Sequence, residues 1–162
     1  MDIVWRDTSS DAFYEEARLA RVFNARHPNH HPPAIVRAKT ETDIVEAVQL
    51  AQKLKLQVNV RSGGHSYPGW SLSDNSILID LGKYREVEVD VDKKEAWISS
   101  GMRSDIDREL IKDYGLMLGA SHHPDVGIGG YLLQGGLSWN CRVSRSIPSR
   151  LFSPYFIMRT SG

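Results

Sequence analysis

Only one cysteine, Cys141, occurs in 162 residues, which excludes an internal disulfide framework. Neither charge is in excess, since 20 Lys and Arg are balanced by 20 Asp and Glu. The composition therefore points neither to nucleic acid nor to a charged membrane surface as a partner. No apolar run approaches the roughly 20 residues needed to span a bilayer. The opening stretch, Met1-Asp2-Ile3-Val4-Trp5-Arg6-Asp7, is acidic and polar and lacks the apolar core of a secretion signal. An intracellular location, with no nucleic-acid and no membrane partner, is the expectation. Internal repeats and low-complexity segments are missing too. What is present is a chain the length of one ordinary domain, long enough to bury a core.

That chain is organised around Arg61-Ser62-Gly63-Gly64-His65-Ser66-Tyr67. The preceding Leu56–Val60 run alternates apolar and polar residues, the pattern of a half-buried strand. Adjacent glycines remove Cβ atoms at the turn, so that backbone N–H groups can approach a ligand, and a concave row of such donors suits phosphate oxygens. Arg61 adds a cation of the kind that pairs with phosphate. His65 can serve as nucleophile, base, ligand or covalent anchor. A tight turn carrying an incidental histidine is the alternative.

Around this turn the pattern is that of a mixed fold. Residues Asp11 to Phe23 place Phe13, Ala17, Ala20 and Phe23 on one helical face, with acidic residues at the start. The Pro-rich loop from Arg26 to Pro33 carries three histidines, but the spacing and acidic partners of a zinc site are missing, so exposed histidines and no metal are expected. Ala34–Ala38 reads as a strand, and Thr40 to Asp43 has capping-box spacing. Ile44, Ala47, Val48, Ala51 and Leu54 then form one apolar helical face, completing a βαβ unit with the Leu56–Val60 strand. The glycine turn falls on the C-terminal edge of that unit, where ligands gather. Ser76–Leu81 is another strand, and 87–91 with 95–99 predicts a hairpin. Ser104 and Asp107 are spaced to cap a further helix with Ile106, Leu110 and Ile111 on its apolar side.

A second glycine cluster follows, in His123-Pro124-Asp125-Val126-Gly127-Ile128-Gly129-Gly130 and on through Gly135-Gly136. So many glycines cost chain entropy, which either a flat aromatic ligand lying on bare backbone or a tight packing turn would offset. Neither cluster is a P-loop, because no Lys-Ser/Thr pair follows, and neither is the G-x-G-x-x-G turn of a dinucleotide dehydrogenase. A nicotinamide enzyme is accordingly disfavoured.

Arg-Ser-Gly-Gly-His at the end of a βαβ unit, followed by Pro-x-Val-Gly-x-Gly-Gly, resembles the FAD-binding domain of the vanillyl-alcohol-oxidase superfamily, the p-cresol-methylhydroxylase type. Within it the nearest group is the berberine-bridge-enzyme-like FAD-linked oxidoreductases. The resemblance covers about Arg21 to Trp139 and rests on the order and spacing of both motifs. It implies an α+β fold: a βαβ subdomain leading into a partly antiparallel α/β subdomain, incomplete at the C-terminus. The expected organisation is an N-terminal helix and Pro/His-rich loop over 1–30, a partial FAD-binding domain over 31–139, and a non-family tail over 140–162.

The resemblance also implies roles. Arg61, Ser62, Gly63 and Gly64 match the loop that holds the FAD pyrophosphate, and Ser66 lies beside them in the same cofactor-binding set. His65 matches the histidine joined to the flavin 8α carbon. Pro124, Val126, Gly127, Gly129 and Gly130 match the segment beside the isoalloxazine and ribityl chain, so one FAD is expected to use both motifs. His123 stands where doubly linked members carry a cysteine, and Cys141 is too far along to replace it, so a single covalent link is implied. Gln134 replaces a glycine found in many members. Tyr67 and Tyr131 are expected to pack.

Family members oxidise a small alcohol or amine substrate, pass the electrons to dioxygen, and take their catalytic base from a part beyond this chain. The expected function is therefore that of an FAD-dependent oxidase-type oxidoreductase. The alternative is a truncated, non-catalytic flavin-binding remnant. The 140–162 tail has no strand or helix period, reads like a frameshift, retained intron or early stop, and is expected to be poorly ordered.

Overall fold

The computed structural model describes residues 1–138 and 155–159. Expectations for Trp139, Cys141 and the 140–154 stretch lie outside the described residues. The chain divides into two compact units, Met1–Tyr84 and Arg85–Gly162.

In the first unit, strand β1 (Ile3–Trp5) leads to helix α1 (Asp11–Leu19), then to β2 (Ala34–Arg37), α2 (Glu41–Leu54), β3 (Gln57–Arg61) and β4 (Ser76–Asp80). These strands form one sheet in the order β1-β2-β4-β3, with β1 antiparallel to β2 and the other pairs parallel. The expected βαβ unit is present, but β4 is inserted between its two strands. β1 escaped the sequence reading, because three residues carry too little alternation to stand out.

Side chains alternate across this sheet. Ala34, Val36, Ile77 and Ile79 pack on one face against Ala47 and Ala51 of α2. Ile35 and Leu78 pack on the other against Val4, Tyr14 and Ala17. Helices on both faces leave every residue of β4 buried, as is usual for a central parallel strand. The capping box of α2 forms as predicted: the Asp43 N–H donates to the Thr40 hydroxyl, and the Thr40 N–H donates to the Asp43 carboxylate. Val48 and Leu54, predicted on the buried face, are 37% and 43% exposed; only the two alanines reach the fully covered stripe.

Helix α1 ends at Leu19, four residues before the predicted Phe23, because Ala20 is extended and Arg21 takes a left-handed φ of 60°. Its buried residues are Tyr14, Ala17 and Arg18. Phe13 instead lies near the surface under the Arg37 guanidinium, 5.1 Å from its ring centre.

The second unit contains the predicted hairpin of β5 (Val87–Asp90) and β6 (Glu95–Ser99), then α3 (Ile106–Tyr114), α4 (Ile128–Gln134) and β7 (Tyr155–Arg159). Lys94 supplies the left-handed residue of the hairpin turn, with a φ of 52°, where the sequence offers no glycine. β7 pairs antiparallel with β6, giving the order β5-β6-β7. This corrects the expectation of a periodless tail. Tyr-Phe-Ile-Met-Arg is rich in strand-forming side chains, and the open edge of β6 gives it a partner. The core of this unit includes Ile98, Met102, Ile106, Leu110, Ile128 and Leu132, whereas Ile111 is 52% exposed.

Candidate functional site

The pairing register of β3 with β4 places Arg61 directly beside Asp80, on the sheet face covered by α1. The Arg61 side chain is 0% exposed. Its Nε donates to the Asp80 carboxylate at 2.8 Å, and its Nη2 donates to the same carboxylate. The remaining donors reach the carbonyls of Arg18 and Ala17, the latter at 2.7 Å. These carbonyls close α1, where unsatisfied oxygens and the helix dipole both favour a cation. Arg21 also pairs with Asp80, and the Gly82 N–H donates to it at 2.9 Å. Burial pushes the Asp80 carboxyl up, but the two guanidinium groups and the Gly82 N–H more than offset this and hold it below its ordinary range. The cationic role expected of Arg61 toward phosphate is therefore corrected: its guanidinium is turned inward and tethers β3, β4 and α1.

Ser62, Gly63, Gly64, His65 and Ser66 form the turn immediately beyond Arg61, at the C-terminal ends of parallel strands. Gly64 has a φ of 74°, and a Cβ there would overlap the Arg21 carbonyl oxygen. Its glycine is thus required by the fold, rather than by ligand approach alone. Among the described residues, no acceptor takes the backbone N–H of Gly63 or Gly64. The Ser66 carbonyl accepts the Gly69 N–H at 3.1 Å, which closes the following turn.

Residues 21–24 wrap this turn. The Phe23 N–H donates to the Gly64 carbonyl at 3.1 Å, and the Asn24 side-chain amide donates to the Tyr67 carbonyl at 2.7 Å. The Phe23 ring stacks on the His65 imidazole, with centres 4.4 Å apart and planes 20° from parallel. Tyr67 meets the same phenyl ring edge-on, at 5.7 Å and 86°. Tyr67, 71% exposed, thus packs at the surface against Phe23, whereas Tyr131 packs against the second unit's cluster.

In the second unit, Pro124, Val126, Gly127, Gly129 and Gly130 run from a loop into α4. The Ser104 N–H and hydroxyl both donate to the Val126 carbonyl, at 2.9 and 3.1 Å, and the Asp105 N–H donates to the Pro124 carbonyl at 3.0 Å. Ser104 therefore holds this segment and does not cap α3. The residue at the N-terminus of α3 is Asp105, which makes no side-chain capping bond. Gly127 precedes α4, and Gly129 and Gly130 lie in its first turn. Gly130 is exposed, and among the described residues nothing outside its own helix lies within 4 Å of where a Cβ would stand.

Two of the three loop histidines, His30 and His31, are tied to acidic groups. His30 Nδ1 lies 2.7 Å from the Asp74 carboxylate, which also accepts the His31 N–H at 2.7 Å. Among the described residues, no group of three His, Cys, Asp or Glu side chains could hold a metal ion, and no helix is long and apolar enough to cross a membrane.

Sequence reasoning missed Asp80, Arg21, Phe23, Asn24 and Ser104. Asp80 left one signal, a carboxylate ending an otherwise apolar strand, but its partner could be named only once the strand order was known. Phe23 and Asn24 are about forty residues from the turn they hold; the apolar period assigned Phe23 to a helix face, and nothing marked Asn24.

Compared with known proteins, residues 32–157 match a family model described as FAD binding domain. The FAD-linked oxidoreductase ptmO of Penicillium ochrochloron is 45% identical over 139 residues, covering 86% of this chain and 30% of that protein. Among solved structures, 6-hydroxy-D-nicotine oxidase from Arthrobacter nicotinovorans superposes with a TM-score of 0.77 at 27% identity, covering 88% of this chain and 30% of that one. Wild-type BBE-like 1 of Physcomitrella patens gives 0.78 at 26% identity, with the same coverage of 88% and 30%. The chain thus spans about 30% of the length of these relatives.

Proposed function

The chain belongs to the FAD binding domain family of FAD-linked oxidoreductases, and on that premise we propose that it is the flavin-holding part of an oxidase-type enzyme. The observation that carries this reading is the pair of N–H groups at Gly63 and Gly64 that no acceptor among the described residues takes, beside His65 at the ends of parallel strands. Unpaired backbone donors next to one another suit the oxygens of a pyrophosphate. In this reading the backbone from Ser62 to Ser66 takes the FAD pyrophosphate, while Arg61 fixes the turn through Asp80. Pro124, Val126, Gly127, Gly129 and Gly130 run beside the isoalloxazine and ribityl chain, where bare backbone admits a flat ring.

His65 is the covalent anchor in this proposal. Attachment joins an imidazole nitrogen to the flavin 8α carbon. The N–H and one methyl C–H are lost, and the electron pair with both protons leaves on dioxygen as hydrogen peroxide. Bound FAD supplies hydride acceptance from the carbon of a small alcohol or amine and reoxidation by dioxygen. The protein's part is to hold and orient it. The name of 6-hydroxy-D-nicotine oxidase supports the amine-side and oxidase character of the proposal.

The experiment is a visible spectrum of the purified chain after incubation with FAD and desalting. Retained blue absorbance supports the reading, and its absence from correctly folded protein contradicts it. A second reading, a flavin-binding chain that turns over no substrate, is favoured by its spanning about 30% of its relatives' length. Substrate-dependent peroxide from a panel of sugars, alcohols and amines would decide against that second reading.

A further inference from the structure

We propose that Phe23 is a positioning residue that aims the His65 imidazole for covalent attachment to the flavin; this rests on the proposed function. A histidine ring turns about a broad, roughly two-fold χ2 torsion, so its plane is poorly fixed by its own side chain. The lone pair that attacks a carbon lies in that plane. Whatever sets the plane therefore sets the direction of attack.

Phe23 is placed to do this. Its ring lies 4.4 Å from the imidazole and within 20° of parallel, a stacked contact along one face that leaves the nitrogens at the ring edge. The phenyl ring is itself held on other sides. Its backbone N–H bonds the Gly64 carbonyl, Tyr67 meets the ring edge-on, and Asn24 next to it ties down the Tyr67 carbonyl. Arg21 adds its carbonyl against Gly64 and its guanidinium on Asp80. Residues 21–24 thus fasten the turn at several points, with one aromatic face presented to the one imidazole of the turn. Phe23 is nevertheless 47% exposed, so core packing does not account for a large apolar ring here.

The test follows the formation of acid-stable flavin over time in the full chain at several FAD concentrations. Phe23→Leu removes the aromatic face and keeps apolar bulk, while Phe23→Tyr restores the ring. The expected result is attachment slowed on the order of a hundredfold at saturating FAD in Phe23→Leu. The half-saturating FAD concentration and the melting temperature should stay as in the wild type, and Phe23→Tyr should attach at the wild-type rate. By NMR, the His65 ring protons should lose their upfield ring-current shift in Phe23→Leu and keep it in Phe23→Tyr.

Equal saturating rates in Phe23→Leu and wild type would overturn this inference and leave the proposed function standing. A higher half-saturating FAD concentration or a lower melting temperature, at an unchanged saturating rate, would also overturn it, because the residue would then be structural. A folded wild type that forms no acid-stable flavin would overturn His65 attachment itself, and this inference with it.

Discussion

At Gly64 a methyl group would run into the Arg21 carbonyl oxygen, and the backbone is held at a φ of 74°; at Gly130 nothing among the described residues outside its own helix lies within 4 Å of the same position. The first glycine belongs to a turn locked by the Arg61–Asp80–Arg21 network and wrapped by residues 21–24. The second lies in the first turn of α4, on a segment held by Ser104 at the Val126 carbonyl, by Arg103 at the Asp125 carboxylate and by the buried Ile128 and Leu132 side chains. Gly64 is needed to build the turn, whatever binds there. Gly130 answers no demand of the chain's own packing, and a glycine there costs helix stability. A glycine that the fold does not need is the better pointer to a ligand.

The comparison can be broken most forcefully at Asp80. Asp80→Asn leaves the buried Arg61 guanidinium without its counter-charge and should cost roughly 3–5 kcal/mol, measured as a lower urea midpoint. Since the folded carboxyl is held below its ordinary range, the wild type gains stability that is fully present above the unfolded value, near pH ~3.9, and lost as pH falls through the folded one. The gap between wild type and Asp80→Asn should therefore close below about pH 4. A gap that stays constant down to pH 2 would show that the carboxylate charge is not what holds the turn.

Gly64→Ala should cost roughly 2–4 kcal/mol, combining the left-handed backbone penalty with the overlap against Arg21. A near-neutral result would mean that the wrapping segment yields easily, and the contrast between the two glycines would lose its first half.

Much of this architecture was legible in the sequence. Thr40 and Asp43 announced the start of α2, because capping is a local interaction between residues three apart. The alternation in 87–91 and 95–99 announced the hairpin for the same reason. The insertion of β4 between β2 and β3 was not legible, since every parallel order of these strands buries the same apolar residues. The fate of Arg61 depended on that insertion. Without Asp80 beside it, an arginine before two glycines reads as a phosphate ligand; with Asp80 in register, it is an internal tether. The wrap by Phe23 and Asn24 was hidden because α1 stops early, where Arg21 turns left-handed, which no period of apolar residues reveals.

Gly130→Ala gives the smallest effect on stability and the most informative. It should raise stability by about 0.5–1 kcal/mol, because alanine is the better helix former and meets no neighbour. Flavin retention should fall all the same, as the methyl group enters the space proposed for the ring. Unchanged retention in that variant would take Gly130 out of the site.

The central claim, a flavin anchored on the first turn, is tested most directly by acid precipitation of the FAD-treated chain, with mass spectrometry of the peptide bearing His65. The account predicts acid-stable flavin on that peptide in the wild type and in His123→Ala, and none in His65→Ala. Acid-stable flavin persisting in His65→Ala, or lost in His123→Ala, would contradict it.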